Sequence, residues 1–441
     1  MPARPSAFAF LLLFLALPTA GWADAGADSS LALGDVKSNL EIVWILICAF
    51  LVFLMQGGFC LLELGMVRAK NCINVVMKNV LDFGLATTGF LFVGFALMFG
   101  SSANGWAGTG GFSFLVTENA SSDLWAHWFF QAMFCATAAT IASGAMAERT
   151  RFMGYLVYSI ALTALIYPVI GHWAWGGNVF HSSQGWLQAR GFHDFAGSSV
   201  VHAVGGACAL AGVVVLGPRV GRFNNDGTPR LIVGHNMPLV ALGTFILWFG
   251  WFGFNAGSLG APTSELGRIC VSTTMAAALG AMFAMGSMWL VNGRPEVLSV
   301  LNGALSGLVA ITAGADVITP PMACIVGGIA GLISTYGTVL LERLKVDDVV
   351  GAVPVHLFNG IWGTLAVGLF HSQGFQTSRL LIQAQGTVFM SCAAFIAAFL
   401  VFKVIDAIMG LRASEEEEED GLDFAEHCAN AYPDFHTAEQ D

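Results

Sequence analysis

Two histidines, His202 and His356, stand inside apolar, glycine-rich stretches, and each follows an aspartate by eight residues. The pairs Asp194/His202 and Asp348/His356 lie 154 residues apart. A neutral imidazole donates at one nitrogen and accepts at the other, so two such rings can hand along a proton or a small N–H solute. In a hydrocarbon span a histidine is expensive and marks a substrate, ion or proton path. The plain alternative is a pair of hydrogen-bonded core histidines. No carboxylate or cysteine stands at metal-ligand spacing from either ring, which argues against a metal centre. One Asp-x7-His arrangement per half of the chain points to an internal duplication, with a site between the repeats near the midplane.

Each aspartate precedes a predicted helix, where a carboxylate accepts backbone N–H bonds and complements the dipole. For Asp348, beside Lys345, a cap is the expectation. Asp194 could both cap its helix and add negative potential near a cation entrance. The run Trp248 to Ser258 ends an apolar stretch, and Trp175 ends another. Both fit an interfacial aromatic belt, and both fit ring faces that bind a cation; residue type alone does not choose. Glu63, at the end of the first apolar stretch, is expected to pair with Arg68 or Lys70.

The elements that must position these residues are membrane helices. The chain of 441 residues is 56% hydrophobic and 11% charged, far below the charged fraction of about 25% in soluble domains. Runs of about 20 apolar residues, long enough to span, fall near 41–66, 76–100, 124–147, 153–175, 197–217, 235–256, 267–291, 298–315, 318–341, 354–371 and 381–410. The fold expected is an all-α polytopic membrane protein of eleven transmembrane helices. With the N-terminus outside and the C-terminus inside, Lys and Arg divide thirteen to four in favour of the inner segments, as the positive-inside rule requires. The two Asp-x7-His helices then run in opposite directions, giving a 5+5 inverted repeat. Eight residues at about 1.5 Å each carry both imidazoles about 12 Å inward from opposite faces.

Residues 1–25, with Arg4, the apolar run Phe8 to Leu17 and small residues near Ala23, fit a secretory signal peptide; a retained first helix is the alternative. Residues 26–410 form the membrane domain, and 411–441 an acidic tail. The six consecutive acids ending at Asp420 fit a solvated face. Gly205-Gly206 and Gly327-Gly328 fit close helix packing. There is no P-loop, dinucleotide fingerprint, Ser/His/Asp order or basic outer patch, so an enzyme, a cofactor or a nucleic-acid partner is not expected.

Four motifs carry a resemblance: Asp194-Phe-Ala-Gly-Ser-Ser-Val-Val-His202, Gly250-Trp-Phe-Gly-Phe-Asn-Ala-Gly-Ser258, Ala147-Glu-Arg-Thr-Arg-Phe152, and Asp347-Asp348 before His356. With them the chain resembles the ammonium transporters of the Amt/Mep/Rh family over nearly its whole length after residue 25. The resemblance implies a homotrimer with one narrow pore per subunit, in the inner (cytoplasmic) membrane. It implies an outer recruitment site of Trp175, Ser258 and Phe134, supported by Asp194, with ammonium or methylammonium as solute. It implies a gate of Phe134 and Phe254, the twin pair His202 and His356, and Trp251, Gln131 and Thr312 at or near the pore. A regulatory partner of the PII type would act at the cytoplasmic tail. Alternatives within the same fold are an ammonium sensor with little transport and a neutral-gas pore. The chain departs from the family pattern at Asp347-Asp348-Val349-Val350-Gly351, where Asp-Asp-Pro-x-Asp is common. It departs also at Leu62-Glu63, where several relatives have Phe-Tyr, and at Cys428-Ala429, where Gly-Glu is common.

Overall fold

Lipid offers no hydrogen bonds, so an apolar run that crosses it must satisfy its own backbone as helix. The computed structural model describes residues 28–110, 121–179 and 183–433, and every predicted span within them is helical. The expected signal peptide lies outside the described residues. The helices are α1 (Asp28–Met66), α2 (Ala69–Phe99), α3 (Ser122–Ala145), α4 (Phe152–Trp175), α5 (Ser198–Leu216) and α6 (Met237–Gly257). They continue as α7 (Leu266–Asn292), α8 (Val297–Thr312), α9 (Pro320–Arg343), α10 (Val353–Phe370) and α11 (Thr377–Met409). Among the described residues nine of these are long and apolar enough to cross a membrane. The other two are α3, with 24 residues, and the shorter apolar α8, with 16. Helix α1 starts well before the predicted residue 41, in a polar extension where Lys37 and Glu41 pair one turn apart at 3.9 Å.

Small residues let the helices touch backbone to backbone, the usual device where lipid supplies no hydrophobic drive between helices. Helix α1 lies along α6, and α7, α8 and α9 pack on one another. At the first contact a Cβ on Gly243 would lie 2.6 Å from the carbonyl oxygen of Gly58. Gly206 faces the backbone nitrogen of Leu357, beside His356, and a Cβ there would come within 2.4 Å. Of the Gly327-Gly328 pair only Gly327 is a tight contact, against Ala276; Gly328 has ordinary space.

A dense ion network lies in the loops at one end of the bundle, hereafter the tail side. Glu148, just after α3, adopts φ +69°, a left-handed conformation that costs a non-glycine residue about 1–2 kcal/mol. Its carboxylate accepts from the backbone N–H and Nε of Arg68 and from Nη1 of Arg219. Arg219 also forms a forked pair with Asp347, donating from Nε at 2.8 Å and Nη2 at 3.0 Å. Arg222 links Asp347 to Glu342. One connected ion network thus ties α1, α3, α5 and α9.

The acidic tail is not merely solvated. Ser414 caps a short helix, α12 (Glu415–Asp420), through a reciprocal bond pair with Glu417. Glu418 is buried, accepting from Arg412 Nε at 2.6 Å and from the backbone of Val220 at 3.1 Å. The next helix, α13 (Leu422–His427), docks on the start of α2: Leu422 donates to Asn71 and Asn74 donates to Asp423. A run of like charges folds here because its first-turn acids face the helix N-terminus and one of them finds a guanidinium.

Burial alone would raise the Glu148 carboxyl, but the charges of Arg219 and Arg68 outweigh it and hold it below the ordinary range. A group depressed in this way stabilises the fold above its unfolded pKa of about 4.3 and loses that contribution as pH falls through the folded value. Glu148→Gln is therefore expected to lower stability at pH 7 by about 3 kcal/mol, the cost of breaking a buried pair. The gap from the parent should close in acid below about pH 4. Thermal unfolding of both proteins in detergent across pH checks this, and a gap that stays constant down to pH 3 contradicts it.

Candidate functional site

The two histidines are presented by the same local device. Before α5, the Asp194 carboxylate accepts from the backbone N–H of Gly197 at 3.1 Å, Ser199 at 2.9 Å and Val200 at 2.8 Å. Before α10, Asp348 accepts from Gly351 and Ala352, both at 3.0 Å, and from Val353 at 2.7 Å. Each carboxylate satisfies three of the donors that a helix start leaves open. Gly197 at φ +109° and Gly351 at φ +77° make the turn into each helix, a conformation glycine adopts without steric cost. Both first turns are π-helical, Ser198–Ala203 and Val353–Phe358. The wide turn is visible in His202, whose N–H donates five residues back, to Gly197, at 3.0 Å. Such π-turns occur frequently at functional sites.

The imidazoles meet. Nδ1 of His202 lies 3.1 Å from Nδ1 of His356, and the rings stack 5.2 Å apart at 18°. For this hydrogen bond to form, one ring must donate from Nδ1 and the other accept there. The indole of Trp251 stacks on His202 at 5.0 Å and 13°, and is itself fixed by a 2.8 Å bond from Nε1 to Thr312 Oγ1. His202 Nε2 is buried with no hydrogen-bond partner among the described residues. Every ring here is buried, and neither imidazole forms a salt bridge among the described residues.

Above the histidines the aromatics form a column. Phe254 is 5.4 Å from His202 and stacks on Phe134 at 4.0 Å and 23°. Phe134 meets Trp175 edge to face at 6.2 Å. Trp175 Nε1 donates to the backbone oxygen of Asp194 at 2.7 Å, so the tryptophan and the first histidine hang from one loop. Ser258, one turn beyond Phe254, donates to the Phe254 carbonyl at 2.8 Å; its hydroxyl oxygen keeps lone pairs for a solute donor. Gln131 lies one turn before Phe134 on α3, and its buried Oε1 accepts no hydrogen bond from the described residues.

The structure thus brings together Trp175, Phe134, Phe254, His202, His356, Trp251 and Thr312, with Ser258 at the top and Asp194 beneath Trp175. Asp194 is 5% exposed, and three backbone donors occupy its carboxylate. Capping is the role its contacts show directly.

On the tail side of His356 lies a small cavity, lined by Phe59, Glu63, Thr140, Asn302 and Val350 among others. Here one expectation fails. Glu63 pairs with neither Arg68 nor Lys70: Arg68 turns to Glu148, and Lys70 donates to the carbonyls of Glu418 and Glu419. Glu63 instead accepts from Asn79 Nδ2 and Ser143 Oγ, each at 2.9 Å. The ring of Phe59 sits 6.2 Å from His356. Asp82, bonded by Ser159 and by Thr140 at 2.9 Å, is a second buried carboxylate that sequence reading passed over. Its one clue was an acidic residue in the middle of α2, where an ionisable group in an apolar span marks function or a specific partner.

The family model of the Ammonium Transporter Family matches residues 43–432. The chain belongs to the ammonium transporter family. It is 46% identical to "Ammonium transporter Amt2" of Archaeoglobus fulgidus, over 97% of this chain and 95% of that protein. It is 39% identical to "Ammonium transporter Amt1" of Haloferax mediterranei, over 91% of this chain and 80% of that protein. Among solved structures, "Sensor Amt Protein" superposes with a TM-score of 0.85 at 38% identity, covering 89% of this chain and all of that one. Mep2 of Candida albicans superposes with a TM-score of 0.77 at 27% identity, covering 86% of this chain and 87% of that one. Family and apolar helices together make this ammonium transporter relative a multi-pass membrane protein.

Asp194→Ala strands three buried backbone donors, each of which costs about 1–3 kcal/mol when unsatisfied. Asp194→Asn keeps an acceptor and should lose less. Unfolding midpoints in detergent are expected to fall in the order parent, Asn, Ala; an Ala variant as stable as the parent contradicts the capping role.

Proposed function

We propose that this chain carries ammonium across the cytoplasmic membrane, recruiting it as the cation and passing it through the twin-histidine pore as ammonia. The observation that carries the reading is the continuous column from Trp175 through Phe134 and Phe254 to the paired imidazoles. At its top, ring faces and the Ser258 oxygen suit a small cation with N–H donors. A desolvated cation–π contact is worth roughly 2 kcal/mol or more. Below Phe134 and Phe254 the path is apolar and a bare cation is costly, so the solute leaves its proton behind. Neutral imidazoles accept and donate N–H bonds along the next step, and the His202–His356 bond offers the proton a parallel path.

The remaining architecture follows the same reading. Eleven spans form a 5+5 inverted repeat, with the N-terminus outside and the tail side inside; the matched Asp-capped π-turns at 198 and 353 support it. The assembly is a homotrimer, residues 1–25 are a signal peptide, and the docked tail is where a PII-type protein would act. What supports transport over sensing is the set of curated relatives named ammonium transporters. The solved neighbour titled as a sensor keeps the rival specific. Labelled methylammonium uptake into proteoliposomes separates them, since binding without flux defeats transport.

Replacing an imidazole by an acid gives the path a charge that supports water or a cation. For His202→Asp and His356→Glu, ammonium flux should persist while selectivity against potassium weakens. Currents in ammonium and in potassium, recorded on intact assemblies, check this; unchanged selectivity in both variants defeats the relay.

A further inference from the structure

We propose that Glu63 is a binding carboxylate for the ammonium cation at the tail-side end of the pore, in the cavity below His356. The proposal deepens the transport reading and rests on it for the identity of the solute.

Glu63 is 2% exposed and lines the same cavity as His356, Phe59, Thr140 and Asn302. Both of its hydrogen bonds, from Asn79 and Ser143, land on Oε2. None of the nearby cations touches it. Arg68 pairs with Glu148 at 2.8 Å, Lys70 bonds the tail carbonyls, and Lys78 donates to the Thr150 carbonyl at 2.6 Å. No salt bridge reaches Glu63 among the described residues. A buried carboxylate with no counter-ion in contact is expensive, so the site has room for a mobile positive charge or a proton. Its neighbours choose between bulky and small cations. The cavity offers a carboxylate oxygen, a phenyl face and hydroxyl and amide oxygens, which together suit an ion that is small and carries several N–H donors. Ammonia leaving the histidines enters this cavity, where it can exist again as the cation. The neutral column would then have a cation site at each end, aromatic on one side and carboxylate on the other.

Glutamine at this position retains an acceptor for Asn79 and Ser143 while removing the charge, so Glu63→Gln tests the site with the packing kept. Methylammonium entry is measured in inside-out vesicles, which present the tail-side face, and in right-side-out vesicles. The half-saturating concentration at the tail side should rise about tenfold in Glu63→Gln and stay within about twofold at the opposite face. Ser143→Ala, which removes a bond and keeps the charge, should stay within about twofold at both. A tail-side value equal to the parent's in Glu63→Gln overturns the proposal. A second readout needs no transport. Infrared difference spectra of the solubilised protein, with ammonium chloride against potassium chloride, should show a carboxylate-stretch change that Glu63→Gln abolishes. No such change in the parent, or the same change in the variant, overturns it. A parent that gives the infrared change yet carries no methylammonium defeats the transport reading and upholds the site.

Discussion

Six backbone N–H groups aimed at two carboxylates fix the centre of this molecule. Asp194 and Asp348 each gather the open donors of a helix start, and each does so behind a glycine in a left-handed turn. The π-turn that follows swings an imidazole out of the helix axis. Because a membrane interior supplies no water to repair a lost bond, this arrangement cannot relax cheaply, and the 3.1 Å contact between His202 and His356 inherits its rigidity. Trp251, locked by Thr312, and Phe254 then have a fixed ring to pack against.

The second organising principle is the segregation of charge. No salt bridge involves the rings of the column among the described residues, and the guanidinium–carboxylate network of Glu148, Arg68, Arg219 and Asp347 gathers at the tail side. There it ties loops from four helices and gives the tail helices α12 and α13 a surface to dock on. Two carboxylates break the pattern. Glu63 and Asp82 lie within the bundle, each held by hydroxyl or amide donors and neither by a formal cation. In apolar surroundings such groups persist where a charge is wanted.

Much of this was legible in the chain because membrane helices announce themselves by length and apolarity, which do not depend on tertiary context. All eleven apolar runs are helical, and the two imidazoles singled out by their eight-residue spacing from an aspartate meet at 3.1 Å. Other features depend on contacts that spacing does not encode. The π-turns leave no periodicity of their own, so the wide first turns of α5 and α10 were invisible. The partner of Glu63 was misassigned because Arg68 and Lys70 are its sequence neighbours, whereas Asn79 and Ser143 reach it from other helices. The acids ending at Asp420 suggested a solvated run, yet Glu418 is buried by Arg412 and the backbone of Val220. Residue type marked Trp175 and Phe254 as either belt or cation site; their distances to Phe134 and His202 place them in one column.

Whether two neutral imidazoles share one hydrogen bond between buried rings is read directly by nitrogen-15 solid-state NMR of histidine-labelled protein in lipid. With His202 and His356 assigned by single substitution, one ring should be protonated at Nδ1 and the other at Nε2, both neutral at pH 7 and coupled through the Nδ1 pair. An imidazolium signal from either ring at that pH, or two rings with the same tautomer, would contradict it.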